Sequence, residues 1–291
     1  MKPEQLENVD IALLNLRCAE GLRGSEGLNV AKALEKLDQF ARHVEQETNR
    51  HLYKYREHPE EFENSEPYFR MLMLATVLQE DFKVRYNPKR IEPLDALQPD
   101  EKFAADSSDV FLHGLTGPSA MGTCASMPVL YVAVGRRLGY PLYLASAKRH
   151  LFARWEDSRT HLNIEASGRG FSSDPDEYYK TWPYKITDEE IQANGYLKTL
   201  SQTEVLADFM EMRGPCLMNV RRYKEALAAY QEAVRLAPHI RNHKVTLDAN
   251  TQDIQRKVIA LRNRQIEQVT WLLDHQGGTN GPPPPPMRLN R

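Results

Sequence analysis

Apolar residues recur at helical spacing through the first third of the chain. Ile11, Leu14 and Cys18 mark a first helix running to Leu22, with Asn8 or Asp10 as its cap and Gly21, Gly24 and Gly27 at its end. Leu34, Leu37, Phe40, Ala41 and Val44 give one apolar face to a second helix from about Leu28 to Tyr55, and Glu35, Lys36, Arg42 and Glu45 face solvent. Ser65-Glu66-Pro67 is a third start. The serine hydroxyl can cap, and a proline in the first turn lacks only an N–H that has no partner there. Tyr68, Met71, Leu72, Ala75, Leu78 and Phe82 continue that helix, and Asn87-Pro88 closes it. Arg90 to Asp106 reads as a surface loop and Ser107 to Leu112 as a short helix.

The pattern then changes. A loop of small residues (Gly117, Pro118, Ser119, Ala120, Gly122) runs into Cys124 and an apolar helix that stops at Gly139, with Pro141 just beyond. The spacing puts Cys124 at or near the first turn of that helix. Unpaired N–H groups and the positive end of the helix dipole favour the nucleophilic thiolate there. Three strands follow, Leu142–Ala147, His150–Glu156 and His161–Ala166, the last two joined as a hairpin through Asp157–Thr160. If Glu156 pairs with His161, His150 lies opposite Ser167, and His161, Asn163 and Glu165 share the face of His150. Glu165 is then diagonal to His150, roughly 7 Å away at the backbone and within side-chain reach. A thiol, an imidazole and an acid or amide are the parts of a nucleophile activated by an oriented base.

Composition narrows the function classes. The 38 basic and 40 acidic residues leave a net charge of −2, so broad nucleic-acid or membrane binding is not expected. The three cysteines, Cys18, Cys124 and Cys216, are widely spaced and include no Cys-x-x-Cys, which points to reduced thiols in a soluble cytoplasmic protein. Met1 to Gln5 lacks the apolar run of a signal peptide. The nine histidines are scattered without metal-ligand spacing, and no Walker loop, Gly-x-Gly-x-x-Gly or His-Glu-x-x-His occurs, so neither a metal nor a cofactor is expected. His113 is a weaker candidate for the site, eleven residues before Cys124.

Cysteine at a helix start, histidine at a strand start and an acid on the next strand, with the run Gly122-Thr123-Cys124 to Arg136-Arg137-Leu138-Gly139-Tyr140-Pro141, resemble the transglutaminase-like cysteine superfamily and its bacterial members. The resemblance covers roughly residues 65 to 183, over a third of the chain. It implies an α+β fold with a papain-like transglutaminase core, in which Cys124 is the nucleophile and His150 the base. Glu165 stands where the family usually has Asp, and Asn163 is the other candidate for the orienting role. The implied chemistry is acyl transfer on a peptide or carboxamide bond, with hydrolysis favoured over amine transfer and a protein or peptide as substrate. The rival reading is a non-catalytic scaffold for protein interaction.

Gly214, Ala226, Tyr230, Ala233 and Pro238 fall at the small-residue, aromatic and proline positions of a 34-residue helical hairpin and resemble one tetratricopeptide repeat. One repeat cannot bury its own face, so it is expected to dock on a neighbour, and its helices offer a surface for a protein partner. Asn250/Thr251 reads as the start of a long last helix to about His275, with Ile254, Val258, Ile266, Val269 and Leu273 as its stripe. The expected divisions are a helical region 1–64, a core 65–200, a repeat-like region 201–275 and a proline-rich tail 276–291, whose Pro282–Pro286 suits polyproline II.

Overall fold

In a computed structural model of the protein, residues 6–91, 103–168 and 170–274 are described. The proline-rich tail and most of the loop expected after Arg90 lie outside them. Residues up to Lys244 pack as one unit and those from Val245 as another.

The first unit is α+β. Helix α1 (Ile11–Ala19) is capped by Asp10, whose side chain accepts from the Ala12 N–H at 2.8 Å. Helix α2 (Val30–Glu57) is capped by Asn29 and buries Ala33, Leu37, Phe40, Ala41 and Val44. Helix α3 (Glu66–Thr76) takes Ser65 as its cap, passes into a π-helical turn (Val77–Asp81) and leads to the short strand β1 (Arg85–Tyr86). The expected short helix 107–112 is instead a 3₁₀ turn at Ser107–Asp109, followed by the single-turn helix α4 (His113–Thr116). Strand β2 (Met121–Gly122) pairs parallel with β1.

Helix α5 (Met127–Arg137) is the centre of the fold. Every residue from Met127 to Gly135 is buried, as expected of a helix that is apolar all round. It touches α1, α2 and α3 and the first two of the three strands that follow it. Those strands are β3 (Leu142–Ala147), β4 (His150–Glu156) and β5 (His161–Ile164), in the antiparallel order β3-β4-β5. Glu156 pairs with His161 and Arg154 with Asn163, the register the hairpin implied. That pairing ends at Ala153–Ile164. Glu165 then bridges to Ser172, its N–H donating to the Ser172 carbonyl at 3.0 Å, so the pairing of His150 with Ser167 is not made.

Two short helices, α6 (Asp176–Tyr179) and α7 (Asp188–Asn194), lead to a helical hairpin of α8 (Gln202–Asn219) and α9 (Tyr223–Leu236). Ser201 and Glu204 form a capping box at the start of α8. The hairpin closes where Gly214 meets Tyr230: a Cβ on Gly214 would lie 2.1 Å from the tyrosine ring. Ala226, Ala229 and Ala233 are buried along the same seam. Helix α8 also packs on α1.

The last helix, α10 (Arg241–Asp274), begins nine residues before the expected start at Asn250. Asn250 and Thr251 do not cap. Their side chains bond the carbonyls of Thr246 and Leu247 one turn back, as polar residues within a helix do. Of the expected stripe, Ile254 is buried while Val258, Ile266 and Val269 are more than half exposed. No helix of the described residues is long and apolar enough to cross a membrane.

Candidate active site

Cys124 does not lie in α5. It lies three residues before Met127, in a tight turn that runs straight into the helix, with the Ser126 and Met127 N–H groups both donating to the Thr123 carbonyl at 3.1 and 2.9 Å. The turn is locked by its own side chains. The Thr123 N–H donates to Ser126 Oγ at 3.1 Å and the Ala125 N–H to Thr123 Oγ1 at 3.3 Å. Both hydroxyls reach the Asp109 carbonyl, at 2.8 Å from Thr123 and 3.3 Å from Ser126. The Asp109 carboxylate is itself held by Asn87 Nδ2 at 2.5 Å and Arg90 Nε at 2.8 Å. Gly122 is required here, because a Cβ would sit 2.5 Å from Ser126 Oγ. The thiol is thus carried on a rigid backbone at the entry to the core helix and remains partly exposed. Cys18 and Cys216 are buried, and burial pushes both thiols up to about 12.

His150 begins β4 and is 7% exposed, as is Glu165. His150 Nε2 lies 2.6 Å from Glu165 Oε2. Burial lowers the pKa of the ring, but interactions with Cys124 and Glu165 outweigh it and raise it to about 9. Glu165 moves the other way. Burial raises its pKa, yet His150 and Ser167 hold it below the usual carboxylate value. Ser167 supplies its backbone N–H at 2.7 Å and its hydroxyl to Glu165 Oε1. Nε2 is engaged by the acid, and the Cys124 thiol interacts with the same ring. Trp182 meets the ring edge-on at 4.7 Å, and Tyr179 lies parallel to it at 6.2 Å. Tyr179 also stacks on Phe152 at 4.0 Å. The segment 176–182 therefore shields the imidazole–carboxylate pair, which strengthens it by excluding water.

Asn163, the alternative orienting residue, is committed elsewhere. Its Oδ1 accepts from Arg154 Nε at 2.7 Å, and its Nδ2 donates to the Asp174 carbonyl and to Asp176 Oδ1. His113 bonds Ser107 Oγ at 3.2 Å and is pushed down by burial. The structure thus brings Cys124, His150 and Glu165 together and leaves Asn163 and His113 in separate networks.

Two contributors were not singled out from the sequence. Ser167 follows Glu165 by two residues, and that spacing was a usable signal for a local side-chain bond. Gln79 in the π-helical turn donates to the Tyr131 hydroxyl of α5 at 3.0 Å and exchanges two hydrogen bonds with the backbone of Gly170. It ties the loop after Glu165 to the core helix, a contact across ninety residues that no local pattern announces. An open depression lined by Tyr143, Arg154, Glu156, His161, Leu197 and Thr199 includes none of the three convergent residues. Scattered in sequence, the histidines nonetheless give, among the described residues, one grouping with metal-ligand chemistry, His243 beside Asp208 and Glu211.

No family model matches the sequence, no curated protein matches it, and no solved structure matches the fold.

Proposed function

We propose that the protein is a cysteine-dependent acyl-transfer enzyme acting on peptide or carboxamide bonds, built on a papain-like transglutaminase core. The observation that carries the reading is His150, bonded on one side to Glu165 and interacting with Cys124 on the other. A buried structural histidine has no need of a partly exposed thiol on a locked turn.

In this reading the Cys124 thiolate attacks the substrate carbonyl carbon. The C–S bond forms as the carbonyl π pair moves to oxygen, and the Cys124 N–H donates to that oxyanion. His150, kept protonated and oriented by Glu165, gives its Nδ1 proton to the leaving nitrogen as the C–N bond breaks. The thioester is resolved by water, whose proton passes to His150, releasing the acid and the thiolate. An amine in place of water would give transfer, and the first half is common to both. Hydrolysis is preferred because water is always at hand.

The test is alkylation of the native protein with iodoacetamide, read cysteine by cysteine by mass spectrometry. Cys124 should label at least tenfold faster than Cys18 and Cys216, and Cys124→Ala should fold normally and lose all acyl-transfer activity. Equal, slow labelling of all three would overturn the reading and favour the non-catalytic scaffold, in which the α8–α9 hairpin recruits a partner.

A further inference from the structure

Asp208 and Glu211 lie one turn apart on α8, and His243 lies in the first turn of α10. Three observations set this grouping apart from a surface acidic cluster. First, His243 is deeply buried, with a side chain only 2% exposed, and its turn is held in place by Asn242, whose N–H donates to Asn194 Oδ1 at 2.9 Å. Second, Nδ1 of His243 is bonded to Glu211 Oε2. A neutral ring donating there carries its lone pair on Nε2. Third, that Nε2 has no hydrogen-bond partner, although it is buried and points to Asp208 Oδ1 at 3.5 Å.

The distance decides between two accounts. A protonated His243 clamped by two carboxylates would donate from Nε2 at about 2.7–2.9 Å, the length of a charge-assisted bond. The 3.5 Å gap is too long for that. It matches the edge of a tetrahedral site, since two ligand atoms about 2.1 Å from a Zn²⁺-like ion lie roughly 3.4 Å apart. The ligand atoms of all three residues lie within 4.8 Å of one another. A carboxylate on the far ring nitrogen is the usual support for a metal-bound imidazole.

We propose that Asp208 and His243 bind a divalent transition-metal cation of the Zn²⁺ class, with Glu211 orienting His243 through Nδ1. The imidazole disfavours the hard cations Mg²⁺ and Ca²⁺. The side chains of Asp208 and Glu211 are 22% and 27% exposed, which gives an entry path and room for water to complete the shell. The ion would fasten the chain at His243 to α8.

The test uses the full-length chain with Cys124→Ser, since Cys124, His150 and Glu165 are also metal-ligating types. Titration with Zn²⁺ against a chromophoric chelator should give one ion per chain, with a dissociation constant on the order of micromolar or tighter, and the ion should raise Tm. Asp208→Asn and His243→Gln should each weaken binding at least tenfold, and Glu211→Gln about tenfold. Absence of binding below about 100 μM in the parent, or unchanged affinity in Asp208→Asn and His243→Gln, would overturn the site. The parent titration and Asp208→Asn decide the matter even if His243→Gln does not fold.

Discussion

Two buried polar clusters occupy one face of the same three-stranded sheet, four residues apart along β4. At the start of the strand stand His150 and Glu165; further along stand Arg154, Asn163 and Asp176. Both satisfy the demand that buried charge be paired. They differ in what is left over. Arg154 is 1% exposed, and each guanidinium nitrogen has a fixed acceptor: Nε the Asn163 Oδ1, Nη1 the Leu197 carbonyl at 2.9 Å, and Nη2 the Asp176 Oδ1 at 2.6 Å. A guanidinium does not release its proton at accessible pH. That cluster can only hold the 163–176 and 197 segments to the sheet. His150 has one nitrogen engaged by an acid and interacts with a thiol, on a group that titrates. The same face carries a fixed clamp and a group that can gain and lose a proton, and the chemistry of the cation separates the two.

The largest effect separating them belongs to His150. In the proposed mechanism His150→Ala takes away the general acid, and it should slow Cys124-dependent turnover by about 10²–10⁴-fold while the native circular dichroism spectrum stays unchanged. A loss of less than threefold would remove the ring from the chemistry. Next is Arg154→Met, which fills much the same space but leaves Asp176 and Asn163 without their cation. It should lower the unfolding free energy by about 3 kcal/mol, the lower end for a broken buried pair, because Asp176 is 29% exposed and regains water. Urea denaturation measures this. Labelling of Cys124 in the folded protein should be unaltered, and a parallel fall in labelling would mean that the two clusters are one unit.

Much of this contrast was legible before the fold. The hairpin register followed from alternation and a single assumed pair, Glu156 with His161, and it set His150, Asn163 and Glu165 on one face. Alternation is a local property and survives folding. What it cannot do is choose between Asn163 and Glu165, because that choice depends on which segments come to lie over the sheet. Asp176 arrives from α6 to claim Asn163, and Ser172 draws Glu165 out of the hairpin ladder toward His150. The helical capping by Ser65 and the helical hairpin marked by Gly214, Ala226, Tyr230 and Ala233 were likewise readable, being local. The position of Cys124 ahead of α5 was not, since it rests on the Asp109 carbonyl, contributed by a segment fourteen residues away. The start of α10 was misplaced for a related reason: polar side chains that resemble caps bond within the helix instead.

The third test uses pH. His150 titrates near its ordinary 6.5 when unfolded and at about 9 in the fold. Its raised value means that the charged ring stabilises the native state fully below about 6.5, and that this contribution is lost as pH rises through 9. The shift corresponds to up to about 3 kcal/mol. The urea midpoint of the wild type should therefore fall from pH 6.5 to 9 more steeply than that of His150→Gln. Other groups titrate in both proteins, so the difference between the two curves is the readout. Parallel curves would mean that the ring is neutral in the native state, and Arg154 would then be the one cation of the sheet face.

The smallest effect bears most directly on the third role. Asn163→Ala removes the acceptor for Arg154 Nε and should reduce stability by about 1–2 kcal/mol, with Cys124 labelling within twofold of wild type. Glu165→Gln should also cost stability, up to about 3 kcal/mol near neutral pH, because a carboxamide can accept from His150 and bond Ser167 but cannot hold the charge of the buried ring; what separates the two variants is Cys124. Labelling of Cys124 should slow by about tenfold, since roughly 1.4 kcal/mol of imidazolium stabilisation accounts for such a factor. If Asn163→Ala slowed labelling and Glu165→Gln did not, the orienting role would pass to the amide, and the Arg154 cluster would be part of the active site rather than its neighbour.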